Sequence, residues 1–317
     1  MRRLEPEFMG HLKDGHLSGI ISSVKKDDTL DFQIRENEIH LYYRGGRILG
    51  LKADSGGYVA SFDDGYCEGS RYKDRLAHLP KHIASEEDSS QWVLAFPELK
   101  QTVDNYLATG KEKNEREFQQ LVVRENNTTN ISNNTDYFIL DIEYTSKGQT
   151  AKGRYDMVAL AWPTSKRKSN KADLAFIEMK FGENALGGNS GILKHIEDIN
   201  DFLGDKENFA QIKIEMITVF KQKRELGLIK SIRHNSNEIE KFSNNMPDFI
   251  LLIAGHSPNS KILFEQLKLV QHEAATLMEN VNLKIATANF MGYALYSKSI
   301  YGLNEFIEKF SDQICCK

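Results

Sequence analysis

Asp173-Leu174-Ala175-Phe176-Ile177-Glu178-Met179-Lys180-Phe181 is the stretch whose reading decides the fold. It is apolar on both alternating sets of positions, the pattern of a central strand covered on both faces. Glu178 and Lys180 interrupt that pattern. Strand side chains alternate with period two, so these two project from the same face. Upstream, Arg154-Tyr155-Asp156-Met157-Val158-Ala159-Leu160 has the same character, with Asp156 on the face of Val158 and Leu160. Placing two acids and a lysine inside such strands is costly unless they pair or bind a metal.

Pro163 stops the earlier strand, and the basic loop from Thr164 to Lys171 joins it to the later one. A hairpin centred near residues 167–168 puts the antiparallel partner of Asp156 near residue 179, and Asp156 beside Glu178. Directly paired residues place their Cβ atoms about 4.5–5.5 Å apart. Two carboxylates at that separation make an oxygen clamp suited to Mg²⁺. A lysine one step along the same face can meet an attacking water or a phosphate oxygen.

Outward from these strands the element order is regular. A charged helix is expected from about Lys113 to Glu125, and an Asn/Thr-rich loop over residues 126–135. A strand follows over Tyr137–Tyr144, then the two strands above. A Gly/Asn-rich stretch leads into a helix near Ile192–Leu203, with Ile192, Ile196, Ile199 and Leu203 as its core stripe. A further helix over Phe209–Leu226 and a short apolar strand over Asp248–Ala254 come next. A helix near Ser260–Glu273, a strand near Leu283–Ser297 and a closing helix to about Phe310 complete the reading.

The D…ExK arrangement, Asp156 followed by Glu178-Met179-Lys180 on consecutive strands, resembles the PD-(D/E)xK nuclease superfamily, the restriction-endonuclease-like fold. The resemblance covers roughly residues 112–255, where the order helix, three strands, helix, strand is that of the αβββαβ core with its mixed central sheet. Tyr155 stands where the family name has proline. The resemblance implies a metal-dependent nuclease hydrolysing phosphodiester bonds in DNA. Asp156 and Glu178 would hold Mg²⁺ or Mn²⁺ with the Met179 carbonyl, and Lys180 would act on the attacking water. Family members often add an acid from the first core helix, for which Glu117 is the choice, with Glu115 and Gln120 as rivals. Lys194 and His195, off the stripe of the next helix, are weaker candidates for contact with substrate phosphate. The same resemblance raises a homodimer, since many such nucleases cut two strands by pairing single-site subunits. Two close carboxylates repel without metal, so removing either is expected to stabilise the fold.

The remaining residues set bounds. With 41 basic and 45 acidic residues the net charge is −4, which argues against broad adhesion to nucleic acid or membrane but leaves room for a local basic surface. Lys166, Arg167, Lys168 and Lys171 at the hairpin tip offer one such surface. A 40% apolar content excludes wholesale disorder, and no apolar run is long enough to span a membrane. The charged first residues lack the apolar core of a secretion signal, so the expected compartment is the cytoplasm. The three cysteines, Cys67, Cys315 and Cys316, form no CxxC pair, which speaks against a disulfide framework or structural zinc. Pro80 spoils a metal-binding face for His78 and His82, and His256 and His272 read as structural or surface residues.

Residues 1–88 read as a separate β-rich module of unknown role. A helix is expected from Pro6 to Lys26. Alternating strands follow at Leu30–Ile34, Ile39–Tyr43, Ile48–Lys52 and Tyr58–Phe62, with Arg44-Gly45-Gly46-Arg47 as a hairpin turn. The acidic stretch Ser85–Ser90 is taken as the join to a nuclease-like domain over residues 89–317, which begins with a helix from about Gln91 to Thr109.

Overall fold

The structure is a computed structural model. It describes residues 1–68, 70–109, 114–128, 130–146, 153–188, 191–229, 238–255, 261–288 and 295–311. His256, Cys315, Cys316 and part of the strand expected at 283–297 lie outside the described residues. The described residues form mixed α/β structure with two sheets, and the chain divides into two compact units. The first is Met1–Arg124 with Thr218–His234, and the second is Glu125–Ile217 with Asn235–Lys317.

The first unit opens with two helices, not one: α1 (Pro6–Lys13) and α2 (Ser18–Lys26). The break falls at Gly15, where a Cβ would stand 2.8 Å from the His11 backbone. An antiparallel sheet follows in the order β1 (Asp31–Ile34), β2 (Glu38–Tyr43), β3 (Gly46–Asp54), β4 (Gly57–Ser61) and, after α3 (Lys73–Leu76), β5 (His82–Ile83). Phe32, Ile34, Ile39, Leu41, Leu49 and Leu51 are buried, as the alternation in sequence demands. Arg44 and Gly45 turn β2 into β3 with φ of 47° and 75°.

The unit does not end at Ser85–Ser90. That stretch starts α4 (Glu86–Ala108), a helix five residues longer at its N-terminus than expected. Ser85 and Asp88 cap each other's backbone N–H groups there. The acidic composition that suggests a linker is instead suited to a helix N-terminus. Trp92, Phe96, Leu99 and Val103 of α4 are buried. Within α5 (Asn114–Asn127), Gln120 accepts the Gly45 N–H at 2.7 Å and donates to the Thr29 and Tyr42 carbonyls at 2.9 Å each. Residues 218–229 complete the unit. Gln222 bonds both backbone groups of Leu4, and buried Lys223 donates to Gln33 at 3.1 Å.

The second unit is built on a mixed sheet. Its strands are β6 (Tyr137–Thr145), β7 (Arg154–Ala161), β8 (Lys171–Phe181), β9 (Lys241–Phe242), β10 (Asp248–Ala254), β11 (Asn282–Thr287) and β12 (Ile300–Gly302). Spatial order is β12-β11-β10-β8-β7-β6, with β9 paired to β8. β6, β7 and β8 run antiparallel, while β10 is parallel to both β8 and β11. The parallel pairings need crossovers. α6 (Ile192–Gly204) and α7 (Lys206–Glu225) separate β8 from β10, and α8 (Ile262–Leu277) separates β10 from β11. α9 (Leu303–Ser311) closes the described chain. Ile192, Ile196, Ile199 and Leu203 of α6 are buried as expected, joined by Phe202. No helix among the described residues is long and apolar enough to cross a membrane.

Candidate active site

β7 and β8 pair backbone to backbone from Ala161↔Asp173 up to Met157↔Ile177. The same register carried one step further sets Asp156 opposite Glu178. At that point side chains take over the ladder. The Asp156 carboxylate accepts the Met179 N–H at 2.8 Å, and the Glu178 carboxylate accepts the Asp156 N–H. Each acid is therefore fixed by the other strand's backbone.

Glu178 and Lys180 are 3% and 5% exposed. Lys180 Nζ lies 2.9 Å from Glu178 Oε1, and His195 Nδ1, reaching from α6, lies 3.2 Å from the same oxygen. Burial still dominates: it holds the Glu178 carboxyl above the usual carboxylate value against the pull of Lys180, with Glu143 adding to the rise. Tyr155 points away from this face into an aromatic cluster with Tyr144, Phe176 and Phe202. Burial raises its phenol far beyond the ordinary range, with the charge of Asp198 contributing.

Glu143, on β6, is a residue the motif reading passed over. Ile142↔Met157 and Tyr144↔Tyr155 are paired, which puts Glu143 across from Asp156. Its φ of 50° lies in the left-handed region, where a non-glycine residue costs on the order of 1 kcal/mol. Its Oε2 meets Arg154 Nη2 at 3.3 Å. The signal in the sequence was an acid among the apolar residues of Tyr137–Tyr144. The D…ExK motif draws no attention to that strand.

The structure thus gathers Asp156, Glu178, Met179, Lys180 and His195 at one place in the second unit. Glu117 lies in the first unit, where its carboxylate holds Arg44 at 2.7 Å beside Asp104. Gln120 secures the β2–β3 turn of the same unit. Lys194 is half-exposed and pairs with Asp198 at 2.8 Å and Glu197 at 3.5 Å. In the hairpin, Lys166 is held by Asp173. Arg167 is not a surface cation: it is 5% exposed and donates to the carbonyls of Asn133, Thr135 and Trp162.

Among the described residues, no group of three or more His, Cys, Asp or Glu side chains is arranged so that it could by itself hold a metal ion. The donors present are the two adjacent carboxylates of Asp156 and Glu178. Mg²⁺ is commonly held by one or two carboxylates, with water and substrate phosphate oxygens filling its octahedron. The donor set fits that mode and does not fit an all-protein cage. Compared with known proteins, the chain finds no match among family models, curated proteins or solved structures.

Proposed function

We propose that the second unit is a metal-dependent nuclease of the PD-(D/E)xK superfamily, on a restriction-endonuclease-like core, and that its substrate is DNA. The observation that carries this reading is the convergence of Asp156, Glu178 and Lys180 where β7 and β8 part, with Asp156 bonded to the Met179 N–H at 2.8 Å. The element order β6-β7-β8-α6-β10 within that unit, with α7 and β9 before β10, supports it.

Asp156 and Glu178, with the Met179 carbonyl, would hold Mg²⁺ or Mn²⁺. Such an ion supplies a bound water of lowered pKa and charge stabilisation at the scissile phosphate. The backbone bonds that fix both carboxylates keep them convergent, so little ordering is needed at the moment of reaction. Lys180 serves as counter-charge to Glu178 in the free protein. Once Glu178 has another cation, the Lys180 ammonium is available to orient the attacking water and to stabilise negative charge gathering on the phosphoryl oxygens. His195 holds Glu178 from the helix side.

A second reading, a nucleic-acid-binding or scaffold protein on the same core, is favoured by one feature. Lys180 already compensates Glu178 without metal, and His195 Nδ1 lies 3.2 Å from the same oxygen. Cleavage assays with Mg²⁺ and Mn²⁺ on supercoiled, linear and single-stranded DNA, with calorimetric titration of Mn²⁺, separate the two. The nuclease reading expects cutting and Mn²⁺ binding, both lost in Asp156→Asn. DNA binding with neither cutting nor Mn²⁺ uptake sinks it and leaves the scaffold.

A further inference from the structure

A nuclease site must hold a polyanion beside its own acids, so some cation has to face the phosphodiester. Three of the cations that the sequence singles out are committed elsewhere: Arg167 to buried carbonyls, Lys166 to Asp173, and Lys194 to Asp198 and Glu197. Arg154 is placed differently. It lies two residues before Asp156 on β7 and so shares its face, about 6.5 Å along the strand. Its side chain is 72% exposed, whereas that of Glu178 is 4% exposed. Arg154 thus reaches outward beside a site whose Glu178 is recessed.

Glu143 sets the direction of that reach. It stands across from Asp156, holds Arg154 Nη2 at 3.3 Å, and does so from a left-handed backbone conformation that a glutamate rarely adopts. A guanidinium has five N–H donors in a fixed fork. One contact with Glu143 leaves donors facing solvent in the geometry that a phosphate accepts.

We propose that Arg154 is the phosphate-binding residue at the rim of the site, gripping a non-bridging oxygen of the DNA backbone next to the bond to be cut. Glu143 is its positioning residue. The inference rests on the nuclease reading and adds to it the residue that docks the substrate. Grip on a phosphate is blind to base identity, so Arg154 contributes affinity and register and no sequence preference.

The test is fluorescence anisotropy of the full chain with labelled duplex and single-stranded DNA. Ca²⁺ replaces Mg²⁺, salt is varied, and cleavage kinetics in Mg²⁺ run in parallel. Arg154→Ala should raise Kd about 10-fold on every sequence, the low end for a charged hydrogen bond. It should also flatten the slope of log K against log salt by about 1. In kinetics KM should rise more than kcat falls, Mn²⁺ binding should be unchanged, and Arg154→Lys should restore part of the affinity. Glu143→Gln should alter the DNA affinity of the wild type but not that of Arg154→Ala. Wild type that binds and cuts DNA, with Arg154→Ala matching its Kd and salt slope, overturns this inference and leaves the nuclease reading standing. Wild type that binds no Mn²⁺ and cuts no DNA overturns both.

Discussion

The carboxylate of Asp156 accepts the backbone N–H of Met179 at 2.8 Å, where a sheet would ordinarily present a carbonyl. This bond reverses the expectation that removing one of two close acids relieves repulsion and stabilises the fold. Asp156→Ala leaves a buried-strand N–H without its acceptor, which costs about 1–3 kcal/mol. Asp156→Asn keeps an oxygen there and should unfold within about 0.5 kcal/mol of the wild type while losing Mn²⁺. Urea unfolding of the pair checks this; equal stability of the two variants counts against the bond.

Lys180 has a structural and a chemical part, separable by a second substitution. Lys180→Met should slow cleavage about 10²–10³-fold, the usual cost of losing one transition-state donor. It should also destabilise the fold by about 3 kcal/mol, because Glu178 stays buried with its closest counter-charge gone. Adding Glu178→Gln should recover much of that stability and none of the activity. If the double variant is as unstable as Lys180→Met, the buried pair is not the cause.

Arg167→Ala should cost about 3 kcal/mol by leaving carbonyls at Asn133, Thr135 and Trp162 without their donor. It should leave DNA affinity per folded molecule unchanged. Lys166→Ala, at an exposed pair, should move stability by less than about 1 kcal/mol. Circular dichroism melts and anisotropy on the same samples distinguish this from a surface contact, for which affinity would fall and stability would not.

Acid should weaken the first unit before its carboxylates titrate. Burial lowers the His40 imidazole, against the pull of Glu38, and burial with the neighbouring His11 lowers His16. Both stay neutral in the fold at a pH where the unfolded chain is protonated. As pH falls below about 6.5, only the unfolded state gains protons, and stability drops until the folded values are reached. Above that pH they add no slope. Urea midpoints across this range should fall with acid, and less steeply in His16→Gln and His40→Gln; an unchanged slope in both variants rejects the assignment.

Protease should spare residues 85–90. Ser85 and Asp88 cap α4, and Ser85→Ala should cost about 1 kcal/mol. Early cleavage of the wild type at Ser85–Ser90 would show that the capped turn is open in solution.

Strand periodicity made most of the second unit legible. β6, β7, β8 and β10 lie within a few residues of where alternation and apolar runs put them, and the hairpin register brought Asp156 to Glu178. Boundaries set by composition fared worse, because charge has two uses. Acids at Ser85–Ser90 read as a linker and form a helix start, and Arg167 reads as surface and is an internal tie. Glu117 sits at a plausible spacing, but sequence spacing says nothing about Arg44, which lies seventy-odd residues earlier and takes its carboxylate. Glu143 and Arg154 were hidden for a similar reason. Their pairing depends on the register of a strand that the motif does not include.

Gln222 holds both backbone groups of Leu4, and Lys223 reaches Gln33. The ribosome releases Leu4 218 residues before Gln222, and Gln33 190 residues before Lys223. Through that interval the first sheet waits with Gln33 lacking its lysine, while the whole Glu125–Ile217 portion of the second unit emerges. Contacts so distant along the chain close late and slowly. The last step of folding for the part made first is therefore timed by the part made after it, and a nascent chain stalled before residue 222 should keep its N-terminus loose.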